Sequence, residues 1–99
     1  MLLIYMYHIT NYTKLKAKEY GVQIKPSTNP KKKIDVFKNG EKIASVGAYG
    51  MNDYPTYRLL ERKGTVPKGY ADERRRLYRI RHKNDRKSGA GKWADVLLW

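Results

Sequence analysis

The chain has 99 residues, a formal net charge of +13 and no cysteine, which excludes disulfides, thiolate metal sites and cysteine nucleophiles. Hydrophobic residues make up 40% of it and nine residues are tyrosine, a composition too apolar for a disordered chain. This length suits one small domain, on which so much like charge repels itself unless a polyanion neutralises it. Nucleic acid is therefore the expected partner, ahead of an anionic membrane or an acidic protein.

The segment from Met1 to Tyr7 is apolar, but it lacks a basic leading region and is far too short to span a bilayer. It predicts an edge strand or an interface segment in a soluble, intracellular protein. Thr10 and its polar neighbours can then cap a helix over residues 14–20, which Gly21 would end. The candidates for the buried face of this helix are Tyr12, Leu15 and Tyr20.

A hairpin over residues 33–46 is the clearest local signal, after a short strand at 22–24 and a proline-bounded loop at 26–30. Asn39-Gly40 predicts a two-residue type I′ turn, because both positions accept the positive φ that this turn requires. Counting back from the turn gives the expected register. It pairs Phe37 with Lys42, Val36 with Ile43, Asp35 with Ala44 and Ile34 with Ser45.

Three helices are predicted in the second half of the chain. The first begins at Asn52-Asp53 with Pro55 in its first turn and ends at Gly64, and it carries Tyr57, Leu59 and Leu60. The second is an arginine-rich helix over residues 70–87. The third, over residues 92–99, would dock through Trp93, Val96 and Leu97. The element order predicts an α+β fold in which three to four helices cover a small antiparallel sheet in one compact domain.

The segment YADERRRLYRIRHKNDRK, residues 70–87, carries eight basic and three acidic residues, a net charge of +5 (8 − 3). As one helix it would bury Tyr70, Leu77, Ile80 and the aliphatic stem of Arg81. The opposite face would be a cationic ridge of Arg75, Arg79, His82 and Arg86, with Lys83 beside them. Guanidinium groups fork onto phosphate oxygens, so this cationic ridge predicts a nucleic-acid surface. The alternative is a solvated helix face.

A second basic cluster, formed by Lys31, Lys32 and Lys33, predicts a further phosphate contact, with a solubilising strand edge as the alternative. The tyrosines offer rings on which bases could stack, although most of them occupy positions where a core or cap contact is expected.

Catalytic and metal sites are not expected from the sequence. His8 and His82 lack a metal-ligand spacing, and the run from Gly89 to Lys92 lacks the remaining residues of a P-loop. The run from His82 to Arg86 resembles the side-chain set of a nuclease, but no second carboxylate lies close by to complete a metal site. We therefore expect a non-enzymatic protein with neither cofactor nor metal.

Several motifs spread over residues 9–99 carry a family resemblance: ITNY, GVQIKPS, KIDV, DYPTY, YADERR, YRIRH and ADVLLW. In these the chain resembles small basic proteins of uncharacterised function encoded by nucleocytoplasmic large DNA viruses, the giant viruses. The resemblance implies a viral protein of the virion and of the host cytoplasm, where viral factories form. It also implies a natural start at Met6, and it supplies no catalytic residue.

The leading hypothesis is a non-enzymatic, largely sequence-independent nucleic-acid-binding protein, of DNA rather than RNA, that packages or organises a viral genome. The alternative is a minor capsid or cement protein, binding capsid or a second copy through the segments from Met1 to Tyr7 and from Trp93 to Trp99. A nuclease is the third hypothesis, and no membrane contact is expected. The predicted phosphate-binding residues are Arg75, Arg79, His82, Lys83, Arg86, Lys31, Lys32 and Lys33.

Overall fold

The computed structural model describes residues 7–99 and confirms the predicted α+β class, with a three-stranded antiparallel sheet and four helices. The elements are α1 (Asn11–Glu19), β1 (Gln23–Pro26), β2 (Lys32–Lys38), β3 (Glu41–Ala48), α2 (Tyr54–Arg62), α3 (Tyr70–Arg81) and α4 (Gly89–Leu98). The chain separates into two compact units, the first ending at Met51 and the second formed by Asn52–Trp99. The edge strand or interface segment predicted from Met1 to Tyr7 lies, except for Tyr7, outside the described residues.

Helix α1 begins at Asn11, three residues before the predicted start, and Thr10 caps it as predicted, because its side-chain oxygen accepts a hydrogen bond from the Thr13 amide at 3.3 Å. Its buried face differs from the prediction. Leu15 is 68% exposed and Tyr20 43% exposed, while Thr13 and Ala17 are buried. Residues four apart share one helix face, so the small side chains at 13 and 17 form the packed face, and α1 contacts β1.

The strands lie in the order β1-β2-β3, and Asn39 and Gly40 form the predicted turn with φ values of 54° and 80°. Phe37 pairs with Lys42 as predicted, but the register beyond this pair is wrong. A β-bulge leaves Ile43 without a partner, so that Val36 lies opposite Ala44, Asp35 opposite Ser45 and Ile34 opposite Val46. The bulge has a reason in burial, because Val46 is 1% exposed in this register and Ile43 40%.

Asp35 of β2 is a buried carboxylate, 2% exposed, and three of its neighbours donate hydrogen bonds to it. The donors are the Ser27 hydroxyl at 2.6 Å, the Ser45 hydroxyl at 2.7 Å and the Thr28 amide at 3.3 Å. Burial by itself raises the pKa of Asp35, but these hydrogen bonds and the nearby Lys42 ammonium outweigh it and hold the pKa below its usual value. The ionised carboxylate therefore fastens the loop after β1 to the sheet.

In the second unit, α2 begins where it was predicted to begin. The Asp53 carboxylate accepts hydrogen bonds from the Thr56 amide at 3.1 Å and from the Thr56 hydroxyl at 2.7 Å. Pro55 occupies the first turn, where its missing N–H costs nothing. Helix α2 packs against α3, and the rings of Tyr57 and Tyr70 meet edge to face at 5.5 Å.

Helix α3 is shorter than the predicted helix over residues 70–87, because it ends at Arg81 with His82 as its C-cap. Residues 82–88 form a turn in which the Asp85 amide donates to the His82 carbonyl at 3.1 Å. Helix α4 then begins at Gly89, three residues before the predicted start. The main chain of Asp85 lies against Gly91, where a Cβ atom would come within 2.6 Å of the Asp85 carbonyl carbon. Gly91 thus allows α4 to lie directly against this turn.

Candidate nucleic-acid interface

An open groove of about 590 Å³ lies along α3 and the turn that follows it. All eight arginines of the chain lie in the second unit, and four of them line this groove. The lining carries five cations and one carboxylate, a net charge of +4 (5 − 1). The lining residues are Asp72, Arg75, Arg76, Arg79, Ile80, Lys83 and Arg86.

Arg75 is held in the groove from two sides. Its guanidinium carbon lies 3.9 Å from the centre of the Tyr54 ring, and its NH1 group donates to the main-chain oxygen of Trp99 at 3.3 Å. The Asp72 carboxylate lies 3.5 Å away. Tyr54 donates its hydroxyl hydrogen to Asp72 at 3.0 Å, and burial together with this hydrogen bond raises the pKa of Tyr54. The tyrosine therefore stays neutral beneath the guanidinium.

Arg79 and Arg86 share one carboxylate, that of Asp95 in α4. The Arg79 Nε atom lies 3.3 Å from one oxygen, and an Arg86 terminal nitrogen lies 3.6 Å from the other. The Asp95 side chain is only 13% exposed, so solvent screens these two ion pairs less than pairs on an open surface. Arg79 also donates to the main-chain oxygen of Trp99 at 3.5 Å. Asp95 thus fixes two guanidinium groups side by side.

Arg76 and Lys83 are the open cations of the groove. The Arg76 side chain is 58% exposed and pairs with Glu73 at 2.6 Å, and this hydrogen bond lowers the pKa of Glu73. Lys83 is exposed and pairs with no acidic group in the part of the chain that the structure describes. These two side chains can turn towards a ligand without breaking a buried contact.

The predicted orientation of the cationic ridge is wrong. Arg75 and Arg79 are partly buried against α2 and α4, whereas Ile80, predicted to be core, is 58% exposed and lines the groove. The structure brings together Arg75, Arg79, Lys83 and Arg86, although the last two lie beyond the end of α3.

His82 does not line the groove. Its ring stacks on Tyr78 with 4.3 Å between the ring centres, and its Nδ1 atom lies 3.2 Å from the Asp85 carboxylate. Sequence reasoning missed Arg76, whose place next to Arg75 was a usable signal. It also missed Asp95, which nothing in the local sequence connects with the arginines.

The lysine cluster lies in the first unit and only part of it is open. Lys31 and Lys32 are exposed, whereas Lys33 is 4% exposed, with its Nζ atom 5.3 Å from the centre of the Tyr7 ring. The prediction that Lys33 contacts phosphate is therefore wrong, because its ammonium group is buried. Lys31 and Lys32 stay predicted contacts.

The aromatic residues of the second unit mostly pack on one another. Trp99 stacks on Tyr78 with ring centres 4.2 Å apart and an angle of 8°, and Tyr57 lies 6.3 Å from Trp99. Burial, followed by the charges of Asp95 and Asp85, raises the pKa of Tyr78. Leu97 and Leu98 are buried as well. In the segment from Trp93 to Trp99, predicted as a partner-binding patch, two leucines are thus buried and the Trp99 ring stacks on Tyr78.

Within residues 7–99, no group of three or more histidine, cysteine, aspartate or glutamate side chains is placed to hold a metal ion. None of the helices over the same residues has the length and apolar character needed to cross a bilayer.

Comparison with protein-family models found no match for the chain. Comparisons with curated proteins and with solved structures found no significant match either. The resemblance to giant-virus proteins therefore stays a prediction, and the proposal for function depends on the charge and geometry of the groove.

Proposed function

We propose that this chain is a non-enzymatic protein that binds the phosphate backbone of nucleic acid, with little dependence on base sequence. The observation that supports the proposal is the groove, where five cations face one carboxylate and Lys83 is open to a ligand. Among the described residues that line it there is no asparagine or glutamine, the side chains that read adenine edges. Contacts of arginine and lysine to phosphate position a nucleic acid and carry little sequence information.

The fixed arginines suit this role because they are held in place before a ligand arrives. Each guanidinium has five N–H donors, and only some of them are used when Arg75 donates to Trp99 and Arg79 donates to Asp95 and Trp99. A side chain that is already held loses less conformational entropy on binding than a free one. The remaining N–H groups can therefore donate to phosphate oxygens at a lower entropic cost.

In a biological setting, we propose packaging or organisation of a viral genome, which follows from the family resemblance rather than from the groove. DNA is the expected polymer. The capsid or cement alternative requires open apolar segments, and the burial of Leu97 and Leu98 argues against one of the two that were predicted. The nuclease alternative has no observation in its favour among the described residues.

The test is fluorescence anisotropy with labelled DNA over a series of salt concentrations. Arg76→Gln with Lys83→Gln removes two groove charges, and Lys63→Gln with Lys68→Gln removes two exposed charges of the same unit outside the groove. Both doubles lower the net charge from +13 to +11 (13 − 2). If both groove cations contact phosphate, the slope of log K against log salt should become shallower by about 1.8.

We expect the groove double to weaken binding at least about tenfold at moderate salt and the control double to change it by less than about threefold. Equal losses in the two doubles would mean that overall charge, and not the groove, attracts DNA. No binding by the unmodified chain at low salt would end the proposal.

A further inference from the structure

An apolar side chain sits between the two open cations of the groove. Ile80 is 58% exposed and lines the groove together with Arg76 and Lys83. Arg76 lies one helical turn before Ile80 on the same face of α3, and Lys83 follows three residues later, just past the helix end. A single exposed isoleucine is ordinary on a protein surface. Because Ile80 lies in the middle of a cationic groove, a ligand bound to the flanking cations would also contact it.

We propose that the groove takes a single strand of nucleic acid in preference to a duplex, an inference that rests on the function proposed above. In this arrangement Arg76 and Lys83 bind phosphates, and Ile80 packs against the face of a base. A duplex cannot make the second contact, because its bases are stacked and paired inside a rod whose outer surface is phosphate and sugar. Bases of a single strand are unpaired and can turn onto a protein surface.

The shape of the site supports the same choice. The groove is open and holds about 590 Å³, enough for a short stretch of one strand and too little to take in a duplex. From Arg75 to Lys83 the chain advances eight residues, or roughly 12 Å if helical throughout, a length that a few nucleotides of one strand would span. The site is therefore matched to a few nucleotides.

Tyrosine and tryptophan rings are the usual platforms for bases in single-strand binders. Here Tyr57, Tyr70, Tyr78 and Trp99 pack mainly on one another, and none of them lines the groove. Ile80 and the flat face of the Arg76 guanidinium are the surfaces that remain for a base. An aliphatic contact has little shape selectivity, so we expect purine and pyrimidine strands to bind alike.

The experiment compares four labelled probes at the same moderate salt: dT12, the dT12·dA12 duplex, an abasic 12-mer with the same phosphates, and rU12. We expect dT12 to bind at least about fivefold more tightly than the duplex, although the duplex carries more charge. Ile80→Ser should lower the affinity for dT12 about fivefold and leave the duplex and the abasic strand unchanged. Leu15→Ser is the matched control, since Leu15 is a 68% exposed apolar residue of a helix in the other unit. It should change nothing.

The outcomes separate this inference from the proposed function. Duplex binding as tight as that of dT12, with normal sensitivity to Arg76→Gln and Lys83→Gln, would overturn the single-strand preference and keep the nucleic-acid function. An Ile80→Ser variant that binds dT12 normally, or that loses the abasic strand equally, would also overturn it. Failure of all four probes to bind would remove both proposals. Binding of rU12 as tight as that of dT12, or tighter, supports the single-strand site and points to RNA as its natural ligand.

Discussion

Replacing Arg75, Arg79 and Arg86 together by glutamate should destabilise the second unit. Two of these side chains pair with Asp95, and Arg75 lies over the Tyr54 ring at 3.9 Å. An exposed ion pair contributes about 0.2–1 kcal/mol and a cation–π contact about 0.5–2 kcal/mol. The new carboxylates would repel the largely buried Asp95 instead of attracting it, which roughly doubles the effect of each pair. The expected loss is about 1–5 kcal/mol once the arginine exposure of 35–41% is discounted.

Thermal unfolding followed by circular dichroism measures this loss. For a chain of this size each kcal/mol corresponds to about 4–8 °C, so the melting temperature should fall by at least about 4 °C. The matched control replaces the exposed Arg62, Lys63 and Lys68 by glutamate, the same change of −6 (3 × −2) within the same unit. Adding Asp95→Lys to the groove triple should recover part of the loss. A groove triple that melts like the control triple would refute the reasoning, because it would show the arginines to be a solvated face.

Three further changes test the fold. Gly40→Val should cost about 1 kcal/mol or more in denaturant unfolding, because φ is 80° there while the space around the missing Cβ is empty; Gly40→Asn, which tolerates positive φ, should cost much less. Gly91→Ala should destabilise by about 1–3 kcal/mol through its contact with the Asp85 main chain, although this change inside a helix ordinarily stabilises; a more stable variant would show that the turn yields. Folding lowers the pKa of Asp35. Its contribution to the free energy of unfolding is therefore complete above its unfolded pKa, about 4, and is lost as the pH falls below that value. The Asp35→Asn variant should therefore be less stable at pH 7, and its stability should change less with pH between about pH 4 and pH 2. Glu41→Gln, at an exposed position of the same sheet, should keep the wild-type slope.

Local chemistry made much of the fold predictable. The Asn39-Gly40 turn, the Asp53 cap and the end of α1 just before Gly21 each depend on one or two residues whose backbone preferences are strong. The bulge at Ile43 was not predictable in this way. It depends on which contributes more to folding stability, the burial of Val46 or an unbroken ladder of hydrogen bonds between β2 and β3. That comparison requires the packed sheet.

The candidate site was predicted in part, and its orientation was wrong for a physical reason. Periodicity assigned Ile80 to the core because it is apolar, yet the face of α3 that packs is the one carrying the stems of Arg75 and Arg79. Their partner Asp95 is 16 residues from Arg79, too far for a spacing rule to connect them. The end of α3 at Arg81 was missed as well, because no glycine or proline marks it.

The bulge in β3 also means that the length of this strand can change. Ile43 has no partner across the hairpin, so deleting it would leave Phe37 opposite Lys42 and Val36 opposite Ala44, with Ile34 still opposite Val46. Elsewhere in a half-buried strand, losing one residue turns every later side chain to the opposite face. Residue 43 could thus be deleted while the sheet keeps its pattern of facing residues. We expect relatives with a shorter hairpin to lack a residue at this position.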